Sequence, residues 1–484
     1  MQARMKPAVL VIVIACAFRL VFASFTGLGI DESYMVAASH RFTASYFDHP
    51  LASWWLELAS RRLFDGQSPI IVRLPFVILS AVSSWLLYAL TNRLFGGNSG
   101  FWAVVAYSIS PVFSLAFGCW VLPDGPLDAA LLAFAYVTCR AAGIGALPAP
   151  KYWLAAGFFA GLAMLSKYNA ALTIAGAAMF LLSDPHSRPA IRRWELWAGL
   201  IIAVLLFTPV MFWNAAHGWQ SFAYQSGRAT GLRLHPLAPL TIWGGEAMFV
   251  LPWLWLPMIF LLIRALSRGP AQRPSWFLAM LAVIPIILFA VIGIWSSTKI
   301  LYHWATPGYL LLLPLLGDWA SRRGAWVRQI ALFSAALLAG ASLLIAAELT
   351  LGFIPHLDRL FPPGKSPLLQ AVDWTSIRGQ IPAGDAVAAL RWYDAGKIGY
   401  ALPGTQVTVF GPAPHEFGVS APPASLIGRD FLLLAMPGDV SKIQSFYAKD
   451  FETLLPGPAL TVASHGAVLL VIPTLIGHDL LRAP

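Results

Sequence analysis

Val9-Leu10-Val11-Ile12-Val13-Ile14-Ala15-Cys16-Ala17-Phe18 lies inside an apolar run over residues 8–25, and Asp31-Glu32 and then Tyr46-Phe47-Asp48-His49-Pro50 follow it. A run of that length is long enough to cross a bilayer. Carboxylates are costly to place in apolar surroundings, so acids and a histidine gathered in the first loop after such a helix point to chemistry at the membrane surface.

The composition agrees with that reading. Of the 484 residues 58% are hydrophobic and 11% charged, with mean hydropathy +0.69, more apolar surface than a soluble globule can bury. Further apolar runs lie at about 69–90, 100–118, 126–145, 152–166, 169–183, 194–213, 241–264, 275–295, 302–318 and 326–352. The expected fold class is therefore a polytopic α-helical membrane protein with about eleven transmembrane helices, the short runs 152–166 and 169–183 being either two tilted spans or one re-entrant pair. A cleaved signal peptide is the alternative reading of the first run, against which Arg19 interrupts its core.

Basic residues alternate between loops as the positive-inside rule requires. Arg4 and Lys6 precede the first run; Arg93, Arg140 with Lys151, and Arg188, Arg192 and Arg193 mark later loops, followed by Arg264, Arg268 and Arg273 and then Arg322, Arg323 and Arg328. The expected orientation is an N-terminus in the cytoplasm, with residues 26–68 and the C-terminus outside. The formal charge of +10 is distributed over helix ends with no aromatic-basic platform, which argues against nucleic acid as a partner. Twenty tryptophans suit interfacial belts. Three cysteines, Cys16, Cys119 and Cys139, make neither a disulfide framework nor a zinc site.

Hydropathy falls after about residue 353, where Phe361-Pro362-Pro363-Gly364-Lys365 marks a boundary. This divides the chain into a membrane domain, 1–352, and a soluble domain, 353–484. Residues 386–390, 406–410, 431–435 and 467–473 read as strands and 440–455 as a helix, an α/β lobe. In the first loop, 31–45 and 51–65 have helical spacing and are expected to lie along the interface, with Asp31 near the start of the first and Pro50 where the second begins.

Several side chains could carry chemistry. Asp31 and Glu32 can be helix-initiating acids, but the next outward loop adds Leu122-Pro123-Asp124 and another adds Ser166-Lys167-Tyr168-Asn169. Asp48 and His49 can be turn formers or can face an anionic or metal-bound group. Lys299 and His303 stand four residues apart, hence on one face if a helix starts early, and can be snorkelling interfacial residues or phosphate ligands. Arg228, in a loop with His217, Tyr224, Arg233 and His235, is a further outward cation.

Taken together, Asp31-Glu32, the Tyr46–Pro50 segment, Arg73-Leu74-Pro75, Leu122-Pro123-Asp124 and Lys299 to Tyr309 resemble the bacterial branch of the dolichyl-phosphate-mannose protein mannosyltransferase-like superfamily. Arg391 to Lys397 is similar to that branch's outer domain, and the lipid A aminoarabinose transferases are more distant relatives. The resemblance implies a GT-C fold and a glycosyltransferase of the inner membrane. Its donor would be a polyprenyl-phosphate sugar, hexosyl or pentosyl, passed with inversion to a lipid, glycan or protein of the envelope on the extracytoplasmic face. It assigns Asp31 as general base or acceptor-orienting acid with Glu32 beside it, and Asp48 and Asp124 as active-site acids. His49, Lys299, His303, Lys167 and Arg228 are the expected donor-phosphate ligands. A divalent ion would sit at Asp48 and His303; the cations alone are the alternative. Asp48 stands where the aminoarabinose enzymes carry a glutamate implicated in metal binding, and His49 replaces their lysine. A transporter or flippase of lipid-linked glycans is the competing function; it would favour paired repeats with broken helices at mid-membrane, and no repeat is evident.

Overall fold

The computed structural model describes residues 2–231, 233–354, 360, 371–381, 386–436, 439–464 and 467–483. The expected boundary motif, residues 361–365, lies outside them. The helices are α1 (Gln2–Phe25), α2 (Ile30–Ala38), α3 (Ala52–Leu63), α4 (Pro69–Phe95), α5 (Ser99–Ile109), the short turn α6 (Phe117–Cys119), α7 (Asp124–Ala141), α8 (Tyr152–Ser166), α9 (Ala170–Ser183), α10 (Trp194–Ala216), α11 (Gln220–Gly227), α12 (Ala238–Val250), α13 (Pro252–Arg268), α14 (Arg273–Ile292), α15 (Thr306–Ser321) and α16 (Ala325–Leu351). A π-helical stretch, Val112–Ala116, bridges α5 and α6.

Among the described residues five helical stretches are long and apolar enough to cross a membrane: Met5–Phe25, Pro69–Phe95, Trp194–Ala216, Pro252–Ile292 and Ala325–Leu351. The bent pair Ser99–Ile109 with Val112–Cys119 makes a sixth if counted as one span. The expected count of eleven is not reached by this measure, for local reasons. The 126–145 run becomes α7, which carries Asp124, Asp128 and Arg140. α8, α9 and α15 are 15, 14 and 16 residues long, and the 241–264 run breaks at Leu251, whose φ of 91° precedes Pro252.

Packing divides the chain into two compact units. The first comprises Met1–Leu20, Thr43–Ser53 and Arg73–Ala339. Its core runs from Leu87 in α4 to Leu316 in α15 and is almost wholly Leu, Ala, Phe and Val. α8 and α10 approach so closely that a Cβ at Gly157 would lie 1.8 Å from the Gly199 carbonyl oxygen, backbone contact of the small-residue kind common between membrane helices. Ser166 ends α8, and Lys167 follows in extended conformation before Asn169 opens α9, which directs a lysine into the break between two apolar helices.

The second unit comprises Val21–Phe42, Trp54–Val72 and Gly340–Pro484. Its sheet has the order β2-β1-β3-β7-β4, formed by β1 (Ala386–Ala389), β2 (Val407–Val409), β3 (Phe431–Leu434), β4 (Phe451–Pro456) and β7 (Thr474–Leu480). β1 pairs in parallel with β2 and β3, while β7 is antiparallel to β3 and β4; β5 (Leu460–Ser464) and β6 (Ala467–Ile472) form a separate antiparallel pair. Helices α17 (Trp392–Ala401), α18 (Glu416–Ser420) and α19 (Val440–Tyr447) complete the lobe. The expected strands are found; the expected helix 440–455 stops at Tyr447 because β4 takes its second half.

Within this second unit α2 is buried from Glu32 to Ala38 and packs on α17. A Cβ at Gly396 would meet Tyr34 N and Cα at 2.8 and 2.6 Å, so only glycine permits the approach. The Lys397 ammonium, itself buried, donates to the carbonyls of Leu28 at 2.5 Å and Val372 at 2.8 Å. The Tyr34 hydroxyl accepts the Glu416 amide at 2.8 Å. At the far end of α2, Ser39 donates to the Glu57 carboxylate, and Arg61 reaches Glu57 at 2.8 Å and the Ser39 carbonyl at 2.6 Å. Burial pushes Glu57 up to about 7, with Arg61 and the Ser39 hydroxyl opposing. α2 is thus shorter than the expected 31–45 and is a packed element of the second unit.

Candidate active site

In the first unit, three of the expected residues, His49, Lys167 and Arg228, line one small cavity of about 100 Å³, and three more, Asp48, Asp124 and His303, are close enough to act on them electrostatically. His49, Lys167, Asn169, Gln225, Arg228 and Trp304 line it, with Phe289, Ile292 and Ile300 as its apolar wall. Each arrives by a separate local device. Tyr46 to His49 closes a turn, the Tyr46 amide donating to the His49 carbonyl at 3.3 Å, and the Asp48 carbonyl accepts Gln225 Nε2 at 2.5 Å. The turn reading and the functional reading of this segment are therefore compatible: the turn carries His49 to the cavity.

Lys167 bonds both carboxylate oxygens of Asp124 at 2.8 Å. Their side chains are 8% and 2% exposed, so the pair is buried, and Asp128 lies one turn further into α7. Arg228 follows α11 and stands four residues after Tyr224 and three after Gln225, spacings at which helical side chains are neighbours. Its guanidinium donates to the Tyr224 hydroxyl and lies 5.0 Å from the Trp304 ring centroid, while the Asn169 amide donates to the Trp304 carbonyl at 3.1 Å.

The two imidazoles belong to loop segments and are electrically neutral. Burial pushes His49 down to about 3, with Lys167 and Arg228 pushing the same way and Asp48 and Asp124 opposing. His303 is lowered to about 4 by burial, then by Lys167 and Arg228 against Asp124. Near neutral pH both act as uncharged hydrogen-bond donors or acceptors. His49 Nδ1 is buried with no hydrogen-bond partner, a polar atom facing desolvation without compensation. Lys167 is paired with Asp124, while Arg228 is held by Tyr224 and Gln225.

Other expected residues lie elsewhere. Lys299 and His303 do not share a helical face, because residues 299 to 301 are not helical and a 3₁₀ turn begins only at Tyr302. Lys299 is exposed and lines a different, larger cavity with Ser297, Thr298 and Tyr302. Asp31 and Glu32 belong to the second unit. Asp31 is exposed in the first turn of α2, whereas Glu32 is buried and its Oε2 accepts the Gly29 amide at 2.8 Å, capping its own helix. Asp48 is buried near His49. Among the described residues no three His, Cys, Asp or Glu side chains converge; Asp48 and His303 offer two donors, fewer than a divalent ion takes from a dedicated protein site.

Gln225 and Asn169 were not expected. Their only sequence signal is position: Gln225 precedes Arg228 by three residues, and Asn169 closes the Ser166–Asn169 break.

The family model of dolichyl-phosphate-mannose-protein mannosyltransferase matches residues 48–213, a segment that contains Asp48, His49, Asp124 and Lys167. The lipid A galacturonosyltransferase RgtD of Rhizobium johnstonii is 23% identical over 305 residues, 60% of this chain and 61% of that protein. The lipopolysaccharide core galacturonosyltransferase RgtB of the same organism is 28% identical over 194 residues, 40% of this chain and 38% of that protein. The chain thus spans less than two thirds of the length of either relative. The crystal structure of ArnT from Cupriavidus metallidurans in the apo state matches with a TM-score of 0.62 and 14% identity over 98% of both chains. The chain is therefore similar to bacterial membrane glycosyltransferases of the GT-C type, with an ArnT-like fold over nearly its whole length and a mannosyltransferase-like sequence over residues 48–213.

Proposed function

We propose that this protein transfers a sugar from a polyprenyl-phosphate donor to a lipid A or lipopolysaccharide acceptor, with inversion, on the extracytoplasmic face of the inner membrane. The observation that carries the reading is the cavity at His49, Lys167 and Arg228, a desolvated place with cationic side chains and imidazole donors. Such groups match the charge that develops on a departing phosphate. The acceptors follow from what RgtD and RgtB are named for.

In this mechanism an acceptor hydroxyl oxygen attacks the anomeric carbon. The bond from that carbon to the phosphate oxygen breaks, its electron pair leaves with the lipid phosphate, and the hydroxyl proton passes to a carboxylate base, the role that the family resemblance assigns to Asp31. Arg228 and the His49 and His303 imidazoles stabilise the leaving phosphate. Lys167 is held by Asp124 at the cavity wall and orients there. The polyprenyl tail stays in lipid, which explains why the enzyme is embedded. No step is routed through a metal.

The test is purified protein in liposomes with radiolabelled polyprenyl-phosphate galacturonic acid and lipid A or core lipopolysaccharide. Labelled glycolipid is expected, with at least a hundredfold loss in Asp31→Asn. Wild-type rate in that variant would overturn the base assignment. Lipid-linked sugar crossing the bilayer with no product formed would overturn the enzymatic reading in favour of transport.

A further inference from the structure

At the end of α15 remote from His303, the first unit holds a much larger concavity of about 740 Å³. α15 has 16 residues, so the two ends stand about 24 Å apart. Five arginines line this concavity, Arg264, Arg268, Arg273, Arg322 and Arg323, against a single lining acid, Asp318.

Two of these guanidiniums are already satisfied. Arg273 is fixed by Asp184 at 3.0 Å, Ser187 at 3.2 Å and the carbonyls of Ala142 and Gly143 at 3.0 and 3.3 Å. Arg322 pairs with Asp318 at 2.7 Å. The other three have no carboxylate partner among the described residues. Arg268 donates to Gln272 at 3.0 Å, and Arg323 lies 4.9 Å from the Trp319 ring centroid. Arg264 stands one helical turn before Arg268. The remaining wall is apolar, including Phe95, Ile144, Leu261 and Leu315.

Loop arginines that merely obey the positive-inside rule need no concavity and no apolar wall. Here three available guanidiniums of one sign surround a space large enough for a phosphate-bearing headgroup, and hydrophobic side chains border it where glycerol and the first acyl carbons would lie. Guanidiniums bind phosphate bidentately, and basic recesses between membrane helices suit multiply charged lipid headgroups. We propose that this concavity binds an anionic phospholipid with two phosphates, cardiolipin-like, from the leaflet opposite the His49 cavity. It is a second lipid site, independent of the transfer reaction.

Full-length protein in detergent is the material for the test, by native mass spectrometry and thermal unfolding with cardiolipin, phosphatidylethanolamine or inorganic pyrophosphate. Wild-type protein is expected to retain cardiolipin in preference to phosphatidylethanolamine and to unfold at higher temperature with it. The variant Arg264→Gln/Arg268→Gln/Arg323→Gln should bind cardiolipin more than tenfold more weakly. Arg188→Gln/Arg192→Gln, basic residues that do not line the concavity, should bind like wild type. Equal loss in both variants would overturn the site as mere surface charge. Stabilisation by pyrophosphate with none by cardiolipin would overturn the lipid as ligand, and unchanged binding in the triple variant would overturn the site altogether.

Discussion

Near the His303 end of α15, Lys167 meets Asp124 at 2.8 Å with side chains 8% and 2% exposed; at its other end Arg322 meets Asp318 at 2.7 Å with side chains 70% and 19% exposed. Distance and sign are the same, and solvent is what differs. In water the ions are already well solvated and their pairing adds little. Out of water each partner is costly without the other. The buried end therefore specifies where charges sit, while the exposed end leaves guanidiniums available to whatever comes from outside.

The sharpest way to break this contrast is Lys167→Met. It strands Asp124 near Asp128 and is expected to cost about 3–5 kcal/mol, read as a large drop in thermal stability. Lys167→Met/Asp124→Asn should recover most of that stability. A single variant as stable as wild type would mean that the pair is solvated after all.

Arg228→Gln tests charge without burial loss. Removing a charge-assisted bond to a leaving phosphate is worth about 1.5–3 kcal/mol, hence roughly a 10- to 100-fold fall in kcat/KM, with the unfolding temperature little changed. An unaltered rate would remove Arg228 from the site.

The histidines give a pH signature that the arginine end lacks. His49 and His303 have folded values below the ordinary 6.5, so between about pH 6.5 and pH 4 the unfolded chain binds more protons than the folded one. Stability is then full above pH 6.5 and declines as pH falls through that window, by on the order of 1 kcal/mol per pH unit for a fully buried histidine. His49→Gln/His303→Gln should flatten the decline in a pH series of unfolding temperatures; an unchanged slope would assign it to other groups.

The smallest effect belongs to Asp318→Asn. Loss of an exposed pair is expected to change stability by about 0–1 kcal/mol. A change as large as that of Lys167→Met would erase the distinction between the two ends.

Much of this was legible in the amino-acid order. Apolar length found the helices, and strand patterns at 386–390, 406–410 and 431–435 found three of the five strands of the principal sheet. β7 was missed because Gly477, His478 and Asp479 break its alternation, although Leu475 and Leu480 are buried in the lobe's core. The Ser166–Asn169 break and the Tyr46–Pro50 turn announced His49 and Lys167 by their polarity. Partners were not legible: nothing local says that Lys167 pairs with Asp124, 43 residues away, or that Lys299 and His303 part company where the helix starts late. Glu32, read as one of an acidic pair, spends its carboxylate on the Gly29 amide, a role that a helix start always leaves open.

The bond from Lys397 to the Leu28 carbonyl joins residues 369 positions apart. Leu28 emerges from the ribosome long before its partner, 369 residues later. The seating of α2 on α17 must therefore wait until every intervening helix has been inserted, and Asp31 takes up its final setting late in biogenesis. A chain truncated before α17 would leave that acidic segment without the helix it packs on, so the second unit acts as a completion check on the protein.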